Sequence, residues 1–388
     1  MIENLIKKEI ARQRKVVNLI PSENYVSKNV LAALGSPLTN KYAEGKSHQR
    51  YYFGNGIVDQ IEDEVKALVY KVFKIPVANW GVNVQPYSGS IANLAAYVGS
   101  VGLGAKILAM SLEHGGHLTH GHSVSLTGKV FKFEHYGVKP DGRINYDEVA
   151  KLAKKFKPQL IVCGATAYPR KLDFKKFRKI SDSIVYPEQG RRGAFLMADI
   201  SHVAGLVAGG MHPSPFPYAD IVTTTTHKTL RGPRGAVVIS KKELSEKIDK
   251  AIFPGLQGGP QMHTIAAMGV ALEEALKPDF KKYARQIVTN ARVLAAELKR
   301  LGFKIVSGGT DNHLMLVDVA PLGLTGKEAG ERLERAGIVV NKNMIPYDTR
   351  KPWDPSGIRL GTPAVTTQGL KEKDMVRVAR RIYKILMG

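Results

Sequence analysis

From residue 77 to residue 239 the chain alternates short apolar runs with longer amphipathic segments, the pattern of a mainly parallel α/β sheet. The runs predict strands at 106–110, 130–133, 160–163, 195–198, 221–224 and 236–239. Apolar residues spaced by three and four predict helices at 91–101, 146–156 and 174–184. Open parallel sheets bind ligands at the carboxyl ends of their strands, so chemistry is expected just after these runs. Beyond Gly259 the pattern changes to long helices at 262–276 and 280–301, the second closed by Gly302 in a capping position. A smaller α+β unit follows, with strands at 303–306, 313–317, 338–340 and near Ile358, and helices at 327–336 and 370–386. The expected division is an N-terminal arm over 1–40, a large α/β domain over 41–260, and linking helices with a small C-terminal domain over 261–388.

Composition narrows the class. With 388 residues, 44% of them hydrophobic, the chain can bury a large core. No run approaches the roughly 20 apolar residues of a membrane span, and the start lacks a signal-peptide core, so a cytoplasmic protein with no membrane partner is expected. The lone Cys163 lies in an apolar run and reads as a buried strand residue. A net charge of +23 would attract anions or nucleic acid, but Lys and Arg are spread along the chain in amphipathic stretches, as on solvated helix faces. The segment 186–193, rich in Pro, Gly and Arg, reads as an exposed turn.

The strongest chemical signal is Thr223-Thr-Thr-Thr-His-Lys-Thr229, directly after an apolar run. A lysine at a strand end, partly desolvated and beside hydroxyls, suits Schiff-base chemistry; alone, it reads first as a surface lysine after a strand. Asp199 ends another apolar run 29 residues earlier. A carboxylate facing a pyridine nitrogen keeps that ring protonated, so Asp199 with Lys228 predicts pyridoxal 5′-phosphate (PLP), although Asp199 alone could be a helix cap. Tyr87-Ser-Gly-Ser-Ile-Ala-Asn93 opens a helix with a Ser/Gly turn, a candidate phosphate cup at Ser88, Gly89 and Ser90. Four histidines between His114 and His122 invite a metal reading. No carboxylate cluster accompanies them, and the glycines suit a loop against a flat ligand, with His117 stacking on it.

Taken together, Leu19-Ile-Pro-Ser-Glu-Asn24, Leu38-Thr-Asn-Lys-Tyr-Ala-Glu-Gly45, Arg50-Tyr-Tyr52, His114-Gly-Gly-His-Leu-Thr-His-Gly121, Thr223 to Thr229, Gly258-Gly-Pro260, Ser307-Gly-Gly-Thr-Asp-Asn-His313 and Gly357-Ile-Arg-Leu-Gly-Thr-Pro363 resemble the serine hydroxymethyltransferase family, in order along the chain. The resemblance implies a fold-type-I PLP-dependent transferase that moves the serine hydroxymethyl carbon to tetrahydrofolate, giving glycine and 5,10-methylenetetrahydrofolate. It also implies a homodimer whose sites are shared. On the matching positions, Lys228 would carry PLP, Asp199 face its pyridinium, His117 stack on its ring, and Ser88, Gly89 and Ser90 hold its phosphate. Thr166 and His202 would contact the ring oxygen, and Ser22 and Arg359 the substrate, with Arg359 clamping its carboxylate. The neighbouring subunit would contribute Tyr42, Glu44, Tyr52, Gly258 and Gly259, with Glu44 exchanging a proton and Tyr52 and His227 shaping the site. Folate would lie near Leu112, Gly116, Leu118, Asn343 and the turn Lys351-Pro352-Trp353.

The resemblance has departures. Gly45-Lys-Ser-His-Gln49 replaces the usual Gly-Tyr-Pro-Gly, Phe53 stands for a glycine, and Tyr87 for a histidine. Two other readings stay open on sequence: a folate-independent aldolase for 3-hydroxy amino acids, and a nucleic-acid-binding protein on a retained enzyme fold, the latter raised by the +23 charge.

Overall fold

Strands between residues 80 and 241 carry apolar residues on both faces and must be covered on both. In the computed structural model, which describes residues 1–186 and 191–388 (Arg191 and Arg192 by backbone alone), they form one seven-stranded sheet. The strands are β1 (Trp80–Asn83), β2 (Lys106–Met110), β3 (Lys132–Tyr136), β4 (Leu160–Gly164), β5 (Phe195–Asp199), β6 (Ile221–Thr225) and β7 (Ala236–Lys241). Their order is β1-β7-β6-β5-β4-β2-β3, and only β7 runs antiparallel to its neighbours. Alternate residues feed two cores: Leu108, Met110, Ile161, Cys163, Leu196 and Ala198 face one, and Ile107, Ala109, Leu160, Val162 and Met197 the other.

Helices cover both faces. Gly56–Phe73 and Met262–Leu276 pack on the first core, and α1 (Gly89–Val101) lies on the second through Ala92, Leu94, Ala95, Ala96 and Tyr97. The helix Pro278–Arg300 contributes Phe280 to Val288 to the first core and Ala291 to Leu298 to a third core, so it joins the two parts of the molecule. That third core is closed by a small antiparallel sheet of β8 (Lys304–Ile305), β9 (Leu314–Asp318), β10 (Asn341–Asn343) and β11 (Gly357–Gly361), in the order β8-β9-β11-β10. Among the described residues, no helix is long and apolar enough to cross a membrane.

Several expected boundaries move. Val130 belongs to a short helix, Leu126–Val130, started by the Ser125 side chain, so the strand begins at Lys132 rather than at 130. The helix expected over 174–184 stops at Asp182. The pair Ile338–Val339 does not join the small sheet; it runs parallel to Val17–Asn18 and fastens the N-terminal segment against the third core. Residues 187–190, half of the turn expected at 186–193, lie outside the described residues.

Candidate active site

Asp199 ends β5 and Lys228 lies three residues beyond β6; these two strands are parallel neighbours in the register Asp199 to Thr223. The carboxylate and the amine therefore meet at one edge of the sheet, where a cavity of about 340 Å³ opens, within the usual size of a small-molecule site. Ser22, Ser88, Gly89, Ser90, His117, Thr166, Asp199, His202, His227, Lys228 and Arg359, eleven of the expected site residues, line it. A cavity of about 750 Å³ lies elsewhere, among Lys139, Arg143, Arg170 and Phe174. It holds none of the expected residues, and its Arg170 is neutralised by Asp311 at 3.0 Å, so size alone does not mark the site.

Electrostatics define what the 340 Å³ cavity wants. Burial brings the Lys228 ammonium down to about 8, with Asp199 opposing and Arg359 and Arg234 reinforcing the fall; its Nζ donates to Thr225 Oγ1 at 2.8 Å. Near neutral pH an appreciable fraction is then the free, nucleophilic amine. Burial would raise the Asp199 carboxyl, but hydrogen bonds from His120, Ser201 and Asn93 hold it far below the usual range. Asp199 thus stays anionic, held in place by Asn93 Nδ2 at 2.9 Å and His120 Nε2 at 3.2 Å.

Arg359 is 7% exposed, and no carboxylate among the described residues pairs with it. Its Nε donates to Asn341 Oδ1 at 3.0 Å and its Nη1 to the Thr166 carbonyl at 2.7 Å, while burial pulls its pKa down to about 10. A buried cation without a counter-ion is costly unless a ligand brings the anion. Counting lining groups, three cations (Lys228, Arg234, Arg359) face two carboxylates (Glu23, Asp199), so the cavity is short of negative charge.

The phosphate-cup expectation has a local basis. Ser88 caps α1, its Oγ accepting from the Ile91 N–H at 3.4 Å, and Ser88, Gly89 and Ser90 at this helix start line the cavity. At Gly89 any Cβ would come within 2.7 Å of the Thr225 methyl, so only glycine lets the helix start approach the lysine strand this closely. These residues fit PLP: a free amine for its aldehyde, an anion for its pyridinium, and a helix start for its phosphate.

The other twelve expected residues lie outside this cavity. Of the cross-subunit set, Glu44 and Gly258 line a second, open concavity with Tyr51 and residues 253–257. A Cβ on Gly258 would lie 3.1 Å from Glu44 Oε1, and one on Gly259 3.2 Å from the Tyr42 ring. Tyr42 and Tyr52 meet edge-on at 4.9 Å, and Tyr42, Tyr51, Tyr52 and Phe53 are all exposed. The folate set is also outside the cavity. Leu118 and Trp353 are exposed, and Lys351 lies 5.1 Å over the Trp353 ring. Asn343 lies on β10, two residues from the Asn341 that holds Arg359. Gly116 is packed against the chain, where a Cβ would sit 2.1 Å from the Met110 carbonyl.

The four histidines take separate partners. The His114 ring accepts from the Val138 N–H, His117 contacts Thr119 Oγ1 at 2.8 Å, His120 faces Asp199, and His122 Nδ1 accepts from the Val124 N–H. The divergent loop is a tight hairpin, Gly45–Lys46 against Gln49–Arg50, with Ser47 and His48 both bonded to Asp63 at 2.6 and 2.8 Å. Behind it Arg50 donates to the carbonyls of Ala43 and Gly45, on either side of Glu44, and pairs with the buried Asp59 and Glu62.

Some residues that shape the site were not singled out from sequence. His120 and Asn93 hold Asp199, and Asn24 donates to the Lys228 carbonyl at 2.8 Å across 204 residues of chain. Arg234 adds charge to the cavity wall. Asn93 did carry a signal: it is a polar residue within the apolar face of α1, between Ala92 and Leu94.

A lysine and a carboxylate at the ends of adjacent parallel strands, in a sheet whose one reversed strand is β7, belong to a fold-type-I PLP-dependent transferase. Comparison with known families narrows this further. The family described as serine hydroxymethyltransferase matches residues 1–382 of the 388, so the chain belongs to the serine hydroxymethyltransferase family of PLP-dependent one-carbon transferases.

Proposed function

We propose that this protein reversibly transfers the hydroxymethyl carbon of serine to tetrahydrofolate, yielding glycine and 5,10-methylenetetrahydrofolate. The observation that carries the reading is the meeting of three groups in one cavity: the depressed-pKa amine of Lys228, the anionic Asp199, and the buried, counter-ion-free Arg359.

Lys228 would hold PLP covalently, Asp199 would face its pyridinium nitrogen, and Ser88, Gly89 and Ser90 its phosphate. His117 would lie on its ring, and Thr166 and His202 would reach its ring oxygen. Bound there, PLP supplies the electron sink for breaking a bond at the substrate Cα. Arg359 takes the amino-acid carboxylate, supplying the anion its buried guanidinium lacks. Thr225 accepts a hydrogen bond from the Lys228 amine and keeps it aimed into the cavity. Burial holds His227 down to about 3, with Lys228 and Arg234 adding to the effect, so it acts as a neutral ring and not as an acid.

Glu44 would exchange the proton of the serine hydroxyl and the folate, held in register by Arg50 on both flanking carbonyls. In its own chain Glu44 stands outside the Lys228 cavity, beside exposed Tyr42 and Tyr52. This supports a homodimer in which each subunit lends Tyr42, Glu44, Tyr52, Gly258 and Gly259 to the other's site. Folate would lie along Leu112, Gly116, Leu118, Asn343 and the 351–353 turn.

The test is conversion of serine labelled at its hydroxymethyl carbon, with and without tetrahydrofolate. Label arriving in methylenetetrahydrofolate, with glycine formed only when folate is present, is the expected result. Serine or 3-hydroxy amino acid cleavage unaffected by folate would assign the protein to the aldolases.

A further inference from the structure

His202 and His313 come from different domains and meet at the cavity. His202 follows β5 by three residues and lines the cavity; His313 immediately precedes β9 and is wholly buried. Their rings stack at 5.4 Å with 28° between planes, and His202 Nδ1 lies 3.1 Å from His313 Nε2. Two ring nitrogens at that distance share one proton, so one ring donates and the other accepts.

Burial, joined by the cations Lys228 and Arg359, keeps His202 neutral, and burial with Arg359, His212 and Lys228 does the same for His313. Each ring therefore carries one N–H, and two arrangements are possible. If His202 donated from Nδ1, the proton of His313 would have to sit on its own Nδ1. That atom is buried and has no hydrogen-bond partner among the described residues, so an N–H would be stranded in the core. If His313 donates from Nε2, its Nδ1 is only an unused lone pair. Stranded buried N–H groups are rarer than under-used acceptors, which favours the second arrangement. It also leaves His202 with its proton on Nε2, a donor on the side away from His313. An anionic oxygen in the cavity needs such a donor, and a bare nitrogen there would repel it.

We infer that His313 is a positioning residue: by donating from Nε2 to His202 Nδ1, it fixes His202 as an Nε2–H donor toward the ring oxygen of the cofactor. The role at the ring oxygen rests on the reading of this cavity as a PLP site, whereas the proton arrangement within the pair does not.

Long-range proton–nitrogen correlation spectra of histidine-labelled protein, recorded before and after loading with PLP, read the two tautomers directly. Signals are assigned by their disappearance in His202→Asn and His313→Gln. The expected result is Nε2–H on both rings; Nδ1–H on His202 would overturn the inference even if the enzyme reading stands. The cofactor side is read by the visible absorption of the loaded protein against pH. His313→Gln keeps an N–H donor and should retain the wild-type titration, whereas His313→Met, similar in length but without a donor, should move its midpoint by about one pH unit or more. Methionine and glutamine variants titrating alike, with equal melting temperatures, would reduce His313 to a packing role. If His313→Met does not fold, the wild-type spectra still decide the tautomer.

Discussion

Replacing Arg359 by lysine keeps the charge and removes the fork. Burial lowers the guanidinium from its ordinary value to about 10, which at about 1.4 kcal/mol per pKa unit means about 3 kcal/mol held against the charged form. An amino-acid carboxylate bound there would supply the missing counter-ion and recover part of that cost. In the variant, the hydrogen bonds to Asn341 Oδ1 and the Thr166 carbonyl lose their donor, and a two-point contact with the carboxylate becomes a single one. One charge-assisted hydrogen bond is worth about 1.5–3 kcal/mol, so Kd for serine and glycine should rise roughly 10- to 150-fold. The assay is titration of the PLP-loaded protein with each amino acid, followed in the visible spectrum, with PLP content and melting temperature as controls. A Kd within about twofold of wild type would show that another group holds the carboxylate.

Further outcomes follow from the same geometry. Glu44→Gln keeps shape and removes the titratable proton, so folate-dependent serine cleavage should fall by roughly 10²–10⁴, while folate-independent cleavage of a bulky 3-hydroxy amino acid persists; equal loss of both would make Glu44 structural. Folded Lys228 titrates near 8 and the unfolded residue near 10.5, so between those values the unfolded chain binds more protons and PLP-free protein should gain stability as pH rises. The gain is at most about 3 kcal/mol, and urea unfolding of Lys228→Met should lack this part of the slope; identical slopes would mean the amine is not buried as described. Mixing Lys228→Ala with Tyr52→Phe under subunit exchange should restore activity through one intact site per heterodimer; no recovery despite proven exchange would contradict sharing.

Where local pattern and tertiary demand agreed, the sequence was readable. Strands β2, β4 and β5 carry continuous apolar runs (Ile107 to Met110, Leu160 to Cys163, Phe195 to Ala198), and β6 opens with Ile221-Val222, because helices cover both sheet faces, and the ends of these strands located Asp199 and Lys228. The strand β1 is not singled out by the pattern, since Trp80-Gly-Val-Asn83 is four residues long with apolar side chains only at Trp80 and Val82, and pairing with β7 decides it. The 130–133 expectation slipped because apolar content cannot tell a capped helical turn from a strand start, and Ser125 decides in favour of the turn. The groups that hold Asp199, Lys228, His202 and Glu44 were least legible. Asn24 and Lys228 are 204 residues apart, and His202 and His313 are 111 apart; only the fold brings them together. Arg50 was noticed within a motif, but its grip on both sides of Glu44 depends on Asp59 and Glu62 from a following helix.

The central claim, that the Lys228 cavity is the cofactor site, is tested most directly by reducing the PLP-loaded protein with borohydride and mapping the modified peptide by mass spectrometry. One phosphopyridoxyl group per chain on Lys228, with Lys228→Ala unlabelled, is the predicted result. A stable adduct on any other lysine, or none on Lys228, would contradict it.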